Sequence, residues 1–208
     1  MNEIIARIGS LIVSITVALF AVFMLMDYKF GSFFICTILP IGFIMMTSGF
    51  YNESENDKKV AAMNGMVFAA IYTVLIVIVY FAQVTTVRLE SLTEQASQIL
   101  DFNKGGLIFN YDLLGYGFMA LSTFFIGLTI EGRTKTDKVL KWLMLIHGTF
   151  FIACLIMPMT GVFVQTADSD AGKGGVIALE CWCAYFIPVG VLSYIHFGNN
   201  QKNRYCRQ

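Results

Sequence analysis

The stretch VAAMNGMVFAAIYTVLIVIVYFAQV, Val60–Val84, contains no Asp, Glu, Lys or Arg. A helix over it is about 37 Å long, more than the roughly 30 Å of hydrocarbon in a bilayer. A helix apolar on every side needs apolar surroundings on every side, and lipid supplies them. Five further stretches are predominantly apolar over a similar length, with at most one Asp, Glu, Lys or Arg each: 4–26, 30–50, 107–130, 139–164 and 174–197. In lipid each backbone N–H and C=O must find a partner nearby, and a helix does this within one segment. The sequence therefore predicts an all-α, polytopic membrane protein. It has one transmembrane domain over 1–208, with six helices over 4–26, 30–50, 60–84, 107–130, 139–164 and 174–197.

Composition agrees. Of 208 residues, 57% are hydrophobic and 13% are charged, against about 25% charged in a soluble domain. Lys plus Arg, at 14, balances Asp plus Glu, at 14. That balance leaves no basic footprint for nucleic acid. The first apolar stretch exceeds the roughly 7–15 residues of a signal-peptide core, and no A-x-A cleavage pattern follows it. It is read as a true span.

Orientation follows from the basic residues of the short loops. Arg7, Lys58, Lys59, Arg133, Lys135, Lys138, Lys141, Lys202, Arg204 and Arg207 share one face, and Lys29, Arg88, Lys104 and Lys173 share the other. Ten against four places both termini in the cytoplasm. The sequon Asn52-Glu53-Ser54 then faces the cytoplasm, away from glycosylation. The setting this describes is a cell membrane, that of the bacterial cytoplasm.

Two outer connections stand out. Thr166–Gly174 is rich in small residues and reads as a loop. In Arg88–Gly106, Leu89, Leu92, Ala96, Ile99 and Leu100 recur at helical spacing, and Ser91 and Glu94 have capping-box spacing. A short amphipathic helix in the outer interface, between spans three and four, fits this pattern. It serves either as a connector or as a lid.

Lipid tails are as apolar as leucine, so helices join through close backbone approach. Two small-residue rows at four-residue spacing are expected contacts: Ala6, Ser10, Ser14 and Ala18, and Ala61, Gly65, Ala69 and Thr73. Pro40, Pro158 and Pro188 are expected to interrupt spans two, five and six, where each removes a backbone donor and can kink its helix.

Ionisable groups within a bilayer are expensive, so each is a candidate site. Glu180 and Asp112 lie near the outer ends of spans six and four, and Arg88 ends span three on the same side. Gln83 has a similar depth. An outer polar cluster of Asp112, Glu180, Arg88 and Gln83 is the leading ligand-site expectation. Set against it is a structural Arg–carboxylate pair closing the bundle mouth. In the cytoplasmic half, His147 and Asn64 are the remaining polar candidates, with a packing role for the histidine as the plainer reading. No metal-binding spacing links His147 and His196, and no cofactor motif is present. Asp168-Ser-Asp170 opens like a calcium loop but fails at its fifth, sixth and twelfth positions. Cys181-Trp-Cys183 has the wrong spacing for a redox pair, and no G-x-S-x-G occurs.

The stretches Tyr80–Arg88, Asp112–Gly117 and Ile146–Gly148 give the chain a resemblance to small multi-pass bacterial membrane proteins of unknown function. The resemblance implies no activity. Three functional readings remain. The first is a non-enzymatic protein that binds or transports a small or lipid-like ligand. The second is an accessory protein pairing with itself or a membrane partner. The third is an intramembrane enzyme using His147.

Overall fold

The computed structural model describes residues 1–161 and 169–205, with side chains over 1–161 and 176–199. Among them there are helices and turns and no strand. The helices are α1 (Asn2–Leu25), α2 (Lys29–Glu53), α3 (Lys59–Ala82), α4 (Glu94–Leu100), α5 (Leu107–Thr129), α6 (Lys135–His147), α7 (Phe150–Met159) and α8 (Ser169–Tyr205). Six segments are long and apolar enough to cross a membrane: α1, α2, α3 with the turns flanking it, α5, α6 with α7, and α8 from Val176 to Asn199. The chain is a multi-pass membrane protein by this measure.

The spans form a ring. α1 packs between α2 and α8, α2 against α3, α3 against α5, α5 against α6 and α7, and α6 against α8. Asn2 donates to Asn52 across 2.9 Å, which sets the start of α1 beside the end of α2. His196 of α8 meets Glu53 of α2 at the same end. The first and last described residues therefore share one face, called here the terminal face. The ring interior is filled by Phe43, Tyr72, Met119, Met144 and Phe186, all fully buried.

Small residues set the helix spacing. A Cβ on Gly49 would stand 2.2 Å from the Cβ of Ala6, and one on Gly190 would stand 2.4 Å from Ser14 Oγ. The first small-residue row thus touches α2 through Ala6 and α8 through Ser14. In the second row, a Cβ on Gly65 would meet Ile126 at 2.7 Å, and Ser122 Oγ donates to the Gly65 carbonyl at 2.8 Å. Most other span hydroxyls bond back to their own helix. Ser10 donates to the Ala6 carbonyl, Thr47 to that of Phe43 and Ser193 to that of Val189. Such hydroxyls satisfy themselves locally and need no ligand.

Several local expectations are corrected. α2 and α8 run unbroken through Pro40 and Pro188. The fifth span breaks at Gly148–Thr149, ten residues before Pro158. At that point the chain packs closely on α5: a Cβ on Gly148 would lie 2.6 Å from the Cβ of Phe124. The helix between spans three and four is present as α4, but Thr93, not Ser91, caps it by accepting from the Ala96 amide. Of the loop expected over Thr166–Gly174, residues 166–168 lie outside those described, and the chain from Ser169 belongs to α8.

α7 rests on α5. Beyond the Phe150–Tyr185 ring contact at 6.3 Å, no hydrogen bond or ring contact joins α7 to α8 among the described residues. Among the described residues, α6 packs on α8 and α7 packs on α5.

Candidate functional site

Asp112 is the most deeply placed acid of the half away from the terminal face. It lies five residues into α5, about 7.5 Å along the axis from Leu107. It is 5% exposed. Its Oδ1 is buried and has no hydrogen-bond partner among the described residues. The Tyr80 hydroxyl of α3 reaches the same carboxyl group. Tyr72, two turns deeper on α3, is 0% exposed, and its hydroxyl is also buried with no hydrogen bond in normal geometry among the described residues, with the Tyr116 hydroxyl within electrostatic reach. Tyr116, one turn below Asp112, stands edge-on to Tyr72 with ring centroids 5.7 Å apart. Cys36 of α2 is buried within electrostatic reach of Asp112, Tyr72 and Tyr80. Pro40 adds to the polarity here, because it has no N–H to offer the Cys36 carbonyl one turn earlier. Buried polar groups are paired in most proteins, so two such side-chain atoms in one cluster set this region apart from the rest of the bundle interior.

An aromatic floor lies beneath. Tyr116 meets Trp182 of α8 edge-on at 5.2 Å, and Trp182 stacks on Phe186 at 5.1 Å with planes 12° apart. The indole N–H of Trp182 donates to His147 Nε2 at 3.1 Å. An indole nitrogen can only donate, so His147 Nε2 carries no proton. The proton of the neutral ring is then on Nδ1, which donates to Thr123 Oγ1 at 2.7 Å. Thr123 passes its own hydrogen to the Ala120 carbonyl at 2.9 Å. Both ring nitrogens of His147 are occupied, and the residue ties α5, α6 and α8 together.

The other candidates are placed separately. Glu180 of α8 is half-buried, and its Oε1 is buried without a partner among the described residues. It lies within electrostatic reach of Cys183, which in turn is within reach of Cys36. Gln83 begins a π-turn, Gln83–Val87, at the end of α3. It donates to the Leu100 carbonyl at 2.8 Å and accepts from the Phe102 amide at 3.0 Å. It therefore pins the α4 segment onto the bundle. Phe102 in that segment stacks on Tyr80 at 5.9 Å, the ring whose hydroxyl reaches Asp112. Arg88 turns away: its Nε donates to the Val84 carbonyl and its guanidinium covers the Phe30 ring at 4.8 Å. No ion pair joins it to Asp112 or Glu180 among the described residues. Asn64 is half-buried in α3 and takes part in none of the contacts of this cluster.

A second polar cluster occupies the terminal face. His196 Nδ1 lies 2.7 Å from Asp137 Oδ1, and its Nε2 lies 3.0 Å from Glu53 Oε2. One imidazole so bridges α2, α6 and α8. Asp137 also completes a capping box with Thr134. Beside it a pocket of about 90 Å³ is lined by residues including Glu53, Glu55, Glu131, Arg133, Asp137 and His196. Its acids are already engaged, since Glu131 pairs with Lys58 and Arg133, and Glu55 pairs with the same two bases. Hydrogen bonding with Glu55, then with Arg133 and Lys58, holds the Glu131 carboxyl down at about 2. The sequence reading does not anticipate this cluster. Asp137 and His196 are 59 residues apart, and only the Thr134-x-x-Asp137 cap is a local signal.

Among the described residues no group of three or more His, Cys, Asp or Glu side chains is placed to hold a metal ion. No protein family, curated protein or solved structure matches the chain.

Proposed function

We propose that this protein binds a small ligand within the membrane, in the half of the bundle away from its termini, and serves a non-enzymatic binding or transport role. One observation carries the reading: Asp112 Oδ1 and the Tyr72 hydroxyl are buried in one cluster, and neither makes a hydrogen bond within normal geometry among the described residues. A ligand bearing hydrogen-bond donors would satisfy both. Asp112, Tyr72, Tyr80, Tyr116 and Glu180 are its contacts. Gln83 holds the α4 segment as a cover, with α4 lying in the outer interface. Both termini face the cytoplasm, on the strength of the ten-to-four division of basic residues read along the sequence. His147 supports the non-enzymatic reading, because a base needs a free lone pair and its Nε2 already accepts from Trp182.

A second reading is an accessory protein that pairs with a membrane partner or a second copy. The observation favouring it is the span Lys135–Met159, the least buried of the six. Native mass spectrometry of the protein released from lipid nanodiscs separates the two. The binding reading expects a stoichiometric adduct that Asp112→Asn loses. A bare monomer in wild type and variant alike would overturn it, and a stable dimer or retained protein partner would favour the accessory role.

A further inference from the structure

We infer that the ligand is an organic cation carrying N–H groups, of the primary-amine class; the inference rests on the binding reading above. Charge decides the sign. Asp112 and Glu180 each present a buried oxygen without a partner among the described residues. Arg88, at the same end of the bundle, is exposed and spent on Phe30 and its own helix. Two acids with no paired cation among the described residues attract positive charge and repel anions in a low-dielectric region.

The surroundings then choose among cations. A divalent metal ion needs at least three well-placed ligands, and no such group exists among the described residues. The acids stand among aromatic rings, those of Tyr72, Tyr80, Tyr116 and Trp182. Ring faces bind organic cations through their quadrupoles. The orphaned atoms refine the choice further. Asp112 Oδ1 is an acceptor and the Tyr72 hydroxyl can also accept, so each is satisfied by an N–H donor. A quaternary ammonium has none to give.

The test uses full-length protein in nanodiscs with Trp142→Phe. Trp142 is 63% exposed on α6, so its replacement leaves Trp182 of the aromatic floor as the sole indole. Benzylamine, protonated at neutral pH, should change Trp182 emission saturably. Benzyl alcohol, its neutral counterpart, should not, and benzyltrimethylammonium should bind more weakly. Asp112→Asn should weaken benzylamine by about ten- to hundredfold, the range that loss of a charge-assisted hydrogen bond gives. Glu180→Gln should weaken it less, as a longer-range loss of charge. Equal binding of amine and alcohol, or an unchanged Asp112→Asn, overturns the cationic assignment. Native mass spectrometry keeps the two ideas apart. An Asp112-dependent adduct without benzylamine binding sinks the cation and spares the ligand site. Absence of both sinks the two together.

Discussion

The His147 relay gives a quantitative test of how the bundle is held. His147→Ala removes the partner of the Trp182 N–H and the ring contacts to Phe186 at 5.0 Å and Phe150 at 5.4 Å. Thr123 keeps its bond to the Ala120 carbonyl, so its hydroxyl is not stranded. Deleting a fully buried ring of this size costs about 3–5 kcal/mol, most of it from the cavity left behind. The polar part is isolated by Trp182→Phe and Thr123→Val, which leave most of the volume. Each strands one nitrogen of His147 and should cost about 1–3 kcal/mol. In a double-mutant cycle, the His147–Trp182 coupling should fall near 0.6 and no higher than about 1.7 kcal/mol, the range for side-chain hydrogen bonds within membranes. The assay is reversible SDS unfolding from mixed micelles, followed by near-ultraviolet circular dichroism. If both conservative variants stay within about 0.5 kcal/mol of wild type, the imidazole is not held as described. A stable His147→Ala protein that loses a measurable reaction would restore the enzymatic reading.

Gly49→Ala should destabilise the bundle by about 1–3 kcal/mol through overpacking, because the new Cβ meets that of Ala6 at 2.2 Å. Gly198→Ala is its control in the same unfolding assay, since the nearest atom there is 3.7 Å away. Gln83→Leu removes both bonds that pin the α4 segment. Amide exchange across 94–104 should then quicken by about ten- to hundredfold, and an unchanged rate would show that the cover is held by Phe102 alone. At the terminal face, Glu131 is lowered from 4.5 to about 2. A lowered acid stabilises the fold fully above its unfolded value and loses that contribution as pH falls through its folded one. The stability gap between wild type and Glu131→Gln should therefore be flat above pH 4.5 and close toward pH 2.

The six spans were legible in the sequence because the rule that makes them is local. A run such as Val60–Val84 must bond its own backbone in lipid, and only a helix lets it do so. Depth was legible for the same reason, since counting residues along a helix fixes it at 1.5 Å per step. That count is what groups Asp112, Glu180, Gln83 and Arg88 in the sequence. What tertiary structure alone decided was the direction each side chain takes around its helix. A helix apolar on all sides carries no stripe to show which side faces its neighbours. Packing turned Asp112 inward toward Tyr80, the π-turn gave Gln83 to the α4 segment, and Phe30 drew Arg88 to the surface. The ties that close the ring join residues far apart in the chain: His147 to Trp182 over 35 positions, and His196 to Glu53 over 143. No local pattern records such pairs, because each exists only once the helices are already side by side.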